Sequence, residues 1–130
     1  MLVLDTDTLI YFFKGMGNVA KSLLNTPPKS IAIPTIVVYE LKVGIAKSAA
    51  PEKRIAQLQD LTAIVNILPF GSEEAACAAA VRADLEKQGS PIGPYDVLIA
   101  GTALACKGIL VTHNIKEFER IEALQLEDWF

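Results

Sequence analysis

Three acidic residues stand at positions in the 130-residue chain where a carboxylate is unexpected. Asp5 ends the apolar run 2–4, Glu40 falls within an apolar helical pattern, and Asp96 lies near the start of the apolar stretch 95–107. Burying an unpaired carboxylate is costly, so each group must be paired, protonated or bound to a metal ion. If the three converge, unit charges about 4 Å apart repel by about 4 kcal/mol at an effective dielectric of about 20. Such a cluster takes up protons or binds a divalent cation, and oxygen ligands favour Mg²⁺ or Mn²⁺ over zinc.

Short apolar runs of strand type alternate with helical patterns along the chain. Strands are predicted at residues 2–4, 31–33, 67–68 and 109–111, and residues 124–126 alternate like an edge strand. Helices are predicted at residues 8–14, 18–24, 36–48, 52–65, 73–88, 95–107 and 116–121. This alternation predicts an α/β fold, with a mostly parallel sheet of four or five strands and helices on both faces. Ligands of such sheets bind beyond the carboxyl ends of the strands, which is where Asp5 is expected.

The helix predicted over residues 36–48, with Thr35 as its N-cap, places Glu40 on its inward face. At about 100° per residue, this face also carries five apolar or small residues: Ile36, Val37, Leu41, Gly44 and Ser48. An acid in such a stripe means either that the helix phase is wrong or that the acid is functional. Its position one turn after a strand favours a functional role.

Asp96 lies in the first turn of a helix that is apolar on nearly every side and is therefore expected at the centre of the fold. The helix dipole stabilises an anion there by about 0.3–1 kcal/mol, which does not offset its desolvation. A further positive partner of Asp96 is therefore expected.

The length of 130 residues predicts one domain with a proper core. Hydrophobic residues make up 52% of the chain and its mean hydropathy is +0.36, but no apolar run approaches the roughly 20 residues of a membrane span. The start Met-Leu-Val-Leu-Asp has no basic region and no cleavage site, so a cytoplasmic protein is expected. Cys77 and Cys106 lie in Ala-rich contexts and are expected as buried free thiols, not as a disulfide or a metal pair.

The net charge of −3 argues at first against a nucleic-acid partner. If Asp5, Asp7, Glu40 and Asp96 belong to one site, eleven of the fifteen acids remain outside it, against twelve bases. The remaining surface is then near neutral, so charge does not decide the partner.

Four motifs, in order along the chain, resemble those of PIN-domain ribonucleases. They are Leu4-Asp5-Thr6-Asp7; Tyr39-Glu40-Leu41 with Gly44; Ile92-Gly93-Pro94-Tyr95-Asp96 with Leu98-Ile99-Ala100; and Val111-Thr112-His113-Asn114 with Glu117-Phe118. In particular, they look like the motifs of the VapC toxins of prokaryotic toxin–antitoxin pairs, and the resemblance covers essentially the whole chain. It implies a single PIN-like domain over residues 1–130, built as a three-layer sandwich.

The resemblance also implies an activity, which is metal-dependent endonucleolytic hydrolysis of RNA phosphodiester bonds by the toxin of a type II toxin–antitoxin system. Asp5, Glu40 and Asp96 would be the catalytic and metal-binding acids, holding one or two Mg²⁺ ions, with Mn²⁺ as a substitute. The metal would activate a bound water and neutralise charge on the phosphate and the leaving oxygen, so no nucleophilic side chain is needed.

Four polar residues are candidates for the outer shell of this metal site: Asp7, Thr6, Thr112 and Asn114. Asp7 is equally well placed to be a local helix cap. Asn114 stands where the family often has a fourth acid, so the four-acid set is incomplete in this chain.

The partners that the resemblance implies are an RNA substrate, a second copy of the chain and an antitoxin. No base-reading pattern is visible, so transfer, ribosomal and messenger RNA all remain open as substrates. The antitoxin is expected to insert Arg or Lys among the acids, because only a cation can replace the metal without leaving buried charge unpaired. Candidate contacts between the two subunits are Tyr11, Phe12, Leu23, Leu24 and residues 37–41.

Two other functions are compatible with parts of the sequence. A haloacid dehalogenase-like phosphatase would use Asp5 as its nucleophile and Asp7 as its acid/base. That fold needs a later lysine and an acid pair after another strand, which residues 111–114 do not offer. A catalytically inactive domain that binds RNA or a partner is the second alternative, and the complete set of three acids argues against it.

Structural explanations exist for each of these residues taken singly. Asp5 could be an N-cap, Glu40 a solvated helix residue, and Asp96 a partner of the helix dipole. His113, the only histidine, is expected as a polar loop residue, because no Ser or Cys pairs with it. Most of the aromatic residues are expected as core or subunit contacts rather than base-stacking platforms: Tyr11, Phe12, Phe13, Tyr95 and Phe118.

Overall fold

The computed structural model describes all 130 residues and has the α/β architecture that the sequence predicts. Five parallel strands form one sheet in the order β3-β2-β1-β4-β5. Their bounds are β1 Leu2–Leu4, β2 Ile31–Pro34, β3 Asn66–Leu68, β4 Ile109–Val111 and β5 Gln125–Glu127. The predicted edge strand at residues 124–126 is therefore confirmed as β5, shifted by one residue.

Seven helices connect and follow the strands. Their bounds are α1 Thr6–Lys14, α2 Val19–Leu24, α3 Thr35–Ala46, α4 Glu52–Thr62, α5 Ser72–Lys87, α6 Pro94–Ala105 and α7 Ile115–Phe118, with a 3₁₀ turn at Pro28–Ser30. None of these helices combines the length and the hydropathy needed to cross a bilayer.

The order in which strands are added to the sheet reverses at its central strand, β1. The chain runs outward from β1 through β2 to β3, then crosses to the other side of β1 to form β4 and β5. Because β1 and β4 are paired in parallel, with Leu4 opposite Val111, the residues that follow them emerge side by side. Such a switch point is where open α/β sheets bind ligands.

The hydrophobic core lies around the three central strands and α6. Val3, Leu4 and Leu110 are fully buried, as are Ile99 and Ala100 of α6. Burial of apolar side chains on this scale is the dominant favourable term in folding. The expectation that α6 lies at the centre of the fold is confirmed.

Several helices begin earlier than predicted, and a local hydrogen bond explains the start of α1. Helix α1 begins at Thr6 rather than at residue 8, because the Asp5 side chain accepts from the backbone N–H of Thr8 and caps the helix. Thr35 is not an N-cap; its hydroxyl donates to the Leu68 carbonyl at 2.8 Å. Helix α5 begins at Ser72, one residue before its predicted start.

The inward stripe predicted for α3 is wrong in its second half. Val37 and Leu41 are buried, but Gly44 and Ser48 are exposed. The helix already ends at Ala46, and in its last turn Ile45, not Gly44, packs against the core. Burial of Leu23, Val37 and Leu41 inside their own domain also removes them as subunit contacts, whereas Leu24 is 81% exposed.

Both cysteines are free, as expected, but neither is buried. Cys77 is half-buried and Cys106 is exposed. Cys106 is the C-cap of α6, where the chain leaves the core. An Ala-rich context was therefore a poor guide to burial at the end of a helix.

Helices α5 and α6 approach each other most closely at Gly101. A methyl group built at this position would lie 2.6 Å from the Ala78 Cβ and 2.7 Å from the Ala78 backbone nitrogen. Real carbon atoms do not approach backbone atoms so closely, and the backbone of α5 cannot rotate away as a side chain would. The small residues at positions 78 and 101 therefore set the distance between the two helices.

We expect Gly101→Ala to lower the free energy of unfolding by about 1–3 kcal/mol, because the added methyl overpacks the α5–α6 contact. Gly44→Ala is the matched control, because its methyl would meet no atom within 4 Å. That change should raise the free energy of unfolding by about 0.5–1 kcal/mol through helix propensity. Urea denaturation of the two variants measures both values, and equal stability of the two would contradict the close contact.

Candidate active site

The carboxyl ends of the strands open into a crevice that collects the predicted acids. Asp5 follows β1 directly, and Thr112 follows β4 beside it. Glu40 comes from α3, which continues from β2, and Asp96 lies in the first turn of α6. The charges of Asp5 and Glu40 both act on the Asp96 carboxyl, so the three predicted acids share one electrostatic environment.

Asp5 is the most deeply buried acid of the crevice, with 4% of its surface exposed. One carboxylate oxygen, Oδ1, accepts from the Thr8 backbone N–H at 2.9 Å, and the nearby Thr112 hydroxyl also acts to lower the pKa of Asp5. Burial nevertheless raises the pKa of Asp5, because desolvation of the charged form outweighs these hydrogen bonds. Asp5 is thus both the cap of α1 and a crevice acid, and the two interpretations of this residue hold together.

Glu40 is half-buried and is held by one short hydrogen bond. The Thr6 hydroxyl donates to Glu40 Oε1 at 2.7 Å and so links α1 to α3. The bond leaves the second oxygen of Glu40 free to accept from another donor or to bind a cation. Thr6 was predicted for the outer shell of a metal site, and orienting an acid is what an outer-shell residue does.

Asp96 shares a hydrogen bond with Glu117, an acid that the sequence interpretation placed in the fourth motif but did not assign to the site. Partial burial, this hydrogen bond and the nearby charges of Glu117, Asp5 and Glu40 raise the pKa of Asp96 to about 8. Burial also acts to raise the pKa of Glu117, but hydrogen bonds from Asp96, the Gly93 backbone and Asn114 lower it overall. Near neutral pH and without a cation, Asp96 is therefore protonated and donates a hydrogen bond to the Glu117 carboxylate.

Glu117 is fixed by two further donors. Gly93 N–H donates to Oε1 at 3.0 Å, and Asn114 Nδ2 donates to Oε2 at 2.7 Å. Asn114, predicted for the outer shell, therefore contacts Glu117. A fourth acid is present after β4, three residues later than the family pattern suggests. In the sequence, the sign that Glu117 belongs to the site was its place one turn after Asn114. Local patterns do not reveal its contact with Gly93, because the two residues are 24 positions apart.

Asp7 and His113 lie outside this group of contacts. Asp7 is exposed in the first turn of α1, and the capping role considered for it belongs to Asp5. Its charge still raises the pKa of Asp5 slightly. His113 bonds to Asp128 at 3.0 Å and stacks on Phe130 at a centroid distance of 4.2 Å, which confirms it as a polar loop residue.

No basic side chain is paired with Asp5, Glu40 or Asp96, so the positive partner expected for Asp96 is not a side chain of this protein. The ion pairs of the structure are Arg82–Glu86 and His113–Asp128, and neither includes a crevice acid. Lys14 and Arg54 line a surface depression together with Glu40 but form no ion pair with it. The charge of Arg120 favours the anionic form of Glu117, but the negative charge of Asp5, Glu40 and Asp96 is compensated only by hydrogen bonds and by the proton on Asp96.

The donors of the crevice are all oxygen atoms, which is the chemistry that a hard divalent cation requires. No group of three or more acidic, histidine or cysteine side chains is placed to hold one ion. Mg²⁺ does not need such a group, because it is usually bound by one or two carboxylates and keeps several of its waters. The crevice fits Mg²⁺ in this manner, and the predicted set of three simultaneous protein ligands is not assembled in advance.

Comparison with known proteins identifies relatives over nearly the full length. The PIN-domain family profile matches residues 2–124. The tRNA(fMet)-specific endonuclease VapC of Salmonella typhimurium is 35% identical over 127 residues, which are 98% of this chain and 96% of the relative. Ribonuclease VapC2 of Haemophilus influenzae is 37% identical over 127 residues, with the same coverage of both chains.

Solved structures of two toxin–antitoxin complexes contain chains with the same fold. The DNA-bound VapBC complex of Salmonella typhimurium matches with a TM-score of 0.92 at 33% identity, covering 99% of this chain and 98% of that one. VapBC2 of Rickettsia felis, bound to a DNA fragment from its promoter, matches with a TM-score of 0.91 at 34% identity and the same coverage.

We expect the charge of Asp96 to destabilise the metal-free protein. Its pKa is raised from 3.8 to about 8 in the folded state, so the folded protein binds more protons than the unfolded chain between those values. Stability should therefore fall as the pH rises from about 4 to about 8. At pH 8 in EDTA, Asp96→Asn should raise the free energy of unfolding by about 1 kcal/mol, or about 4 °C in Tm, after allowance for partial exposure.

Thermal unfolding in EDTA across this pH range measures the effect. Asp60→Asn, an exposed acid of α4, is the control and should leave the pH dependence unchanged. A lower Tm for Asp96→Asn at every pH would mean that Asp96 makes a stabilising structural hydrogen bond instead.

Proposed function

Because the chain belongs to the PIN-domain family and is a VapC ribonuclease of VapBC toxin–antitoxin systems, we propose that its crevice cleaves RNA with a divalent metal ion held among Asp5, Glu40 and Asp96, of which one or two bind the ion directly and the others bind its water ligands. The observation that carries the proposal is the convergence of these acids, with no cationic side chain paired to any of them. The phosphatase alternative is not favoured by the family assignment.

Mg²⁺ is the proposed ion, with Mn²⁺ as a substitute, because both prefer oxygen ligands. When bound, such an ion lowers the pKa of a water ligand and neutralises charge on the phosphate and the leaving oxygen. Asp96 contributes by releasing its proton, which converts it from a hydrogen-bond donor into an anionic ligand. Tighter metal binding is therefore expected as the pH rises toward the pKa of Asp96, about 8.

The remaining polar residues of the crevice orient the proposed ligands. The Thr6 hydroxyl holds Glu40, the Thr8 N–H holds Asp5, and the Thr112 hydroxyl beside Asp5 favours its charged form. Glu117 accepts from Gly93 and Asn114 and so ties the start of α6, which carries Asp96, to α7. We assign Glu117 a positioning role, because both of its oxygens already accept hydrogen bonds within the fold.

The partners that we propose are an RNA, an antitoxin and a second copy of the chain. The Salmonella relative is named for cleavage of tRNA(fMet), so this RNA is the first substrate to test. The VapBC complexes of Salmonella and Rickettsia support an antitoxin partner, and we propose that this partner covers the crevice. Leu24 is an exposed apolar residue suited to the contact between two copies.

We expect cleavage of RNA to require a divalent ion and each of the three acids. Asp5→Asn, Glu40→Gln and Asp96→Asn should each lower kcat/KM by more than about 100-fold, because each removes an anionic ligand of similar shape. Asp5→Asn preserves the cap of α1, since Asn and Asp cap helices equally well.

Gel analysis of tRNA(fMet), an elongator tRNA and a messenger fragment measures the cleavage, with Asp60→Asn as the matched control. EDTA should abolish cleavage, and added Mg²⁺ or Mn²⁺ should restore it. Undiminished cleavage in excess EDTA, confirmed with freshly prepared protein, would contradict the proposed chemistry.

Mg²⁺ and the antitoxin should compete for the crevice. A basic side chain of the antitoxin would occupy the place of the ion, because an uncompensated cluster of carboxylates is unfavourable. Changing this side chain to Ala should weaken inhibition of cleavage more than it weakens binding of the antitoxin. Inhibition and calorimetric binding, measured over a range of Mg²⁺ concentrations, separate the two effects. Inhibition that survives the loss of every basic residue of the antitoxin would rule out this mode of blocking.

A further inference from the structure

Two tyrosines flank the mouth of the crevice. Tyr39 directly precedes Glu40 on α3, and Tyr95 directly precedes Asp96 on α6. Their ring centroids are 5.7 Å apart with a tilt of 55°, and their hydroxyl oxygens are 3.4 Å apart. The two rings therefore form one pair that bridges α3 and α6 beside two of the acids.

Both rings of this pair remain exposed to solvent. Tyr39 is 50% exposed and Tyr95 is 43% exposed, so neither ring belongs to the hydrophobic core. Tyr95 was expected as a core or subunit contact, and its exposure excludes the core. Exposed aromatic rings next to a polar site are typical of surfaces that bind a planar or apolar ligand.

A cation lies next to the pair. Lys42 is exposed one helical turn after Tyr39, and the two residues line the same surface depression of about 470 Å³. This combination of exposed rings and a lysine is the one by which proteins hold single-stranded nucleic acid, since bases stack on the rings and the cation contacts a phosphate.

We propose that Tyr39 and Tyr95 stack on bases of single-stranded RNA next to the scissile phosphate, while Lys42 contacts a neighbouring phosphate. The inference rests on the proposed ribonuclease function and names the part of the surface that positions its substrate. It also answers an electrostatic problem, because the acids of the crevice repel RNA and the protein has a net charge of −3. Stacking attracts an RNA strand without adding positive charge among the metal ligands.

The test measures binding of RNA separately from its cleavage. Asp96→Asn in EDTA serves as the background protein, so that a bound strand is not cut. The probes are fluorescently labelled oligoadenylate and an abasic ribose-phosphate strand of the same length. On this background, Tyr39→Leu and Tyr95→Leu should each weaken binding of oligoadenylate by about tenfold and leave binding of the abasic strand unchanged.

Three further variants identify the interaction. Tyr39→Phe keeps the ring and should bind oligoadenylate within about twofold of the parent, since stacking needs no hydroxyl. Lys42→Gln should weaken binding of both probes equally and lower the salt dependence of binding. Ile64→Ala removes an exposed apolar side chain just before β3, at the opposite edge of the sheet, and should change neither probe.

In the otherwise unmodified enzyme, Tyr39→Leu should raise KM more than it lowers kcat. Equal binding of oligoadenylate by the Leu variants and the parent would overturn the inference, as would an equal loss for the abasic strand. Dissociation of a dimer on Tyr39→Leu, measured by sedimentation, would also overturn it by making the pair a subunit contact. Base-dependent binding through the tyrosines, in a parent protein that cuts no RNA, would support the inference and contradict the proposed cleavage.

Discussion

Like charges that are held close together in a partly buried crevice are the constraint on which the rest of the structure depends. Each acid is held by donors that carry no positive charge: the Thr6 hydroxyl for Glu40, the Thr8 N–H for Asp5, and a shared proton between Asp96 and Glu117. Neutral donors fix the positions of the carboxylates but leave their repulsion in place. An arrangement of this kind is stabilised when a cation binds to it, whether the cation is a metal ion or a basic side chain of a partner.

The parallel sheet makes this arrangement possible. Pairing of Leu4 with Val111 brings Asp5 next to Thr112 at one edge, and the crossovers return α3 and α6 to the same edge. The close approach of α5 to Gly101 in turn fixes α6, whose first turn carries Asp96. Packing of the core therefore fixes the positions of the elements that carry the acids, and the polar contacts orient the acid side chains.

The sequence was sufficient to predict the parallel α/β sheet and the three acids, because both are encoded in local patterns. A carboxylate after a short apolar run, or inside an apolar helix, is visible without any knowledge of tertiary contacts. Glu117 was not predicted as a site residue, since its partner Gly93 is 24 residues away and its own surroundings in sequence are polar. The second half of α3 was misassigned for a related reason: periodicity gives the direction of a side chain but not the point at which the helix leaves the core.

The two roles of Asp5 have a consequence for how such a chain changes over generations. At Asp5, most substitutions remove a carboxylate and the cap of α1 together, so selection for a folded protein alone tends to preserve the residue. At Asp96 the two requirements oppose each other, because its charge is a burden to the fold. A lineage that no longer needs the chemistry would therefore lose Asp96 early and Asp5 late. In a drifting gene, Asp96 records activity, whereas a capping residue at position 5, Asp or Asn, records only that the chain still folds.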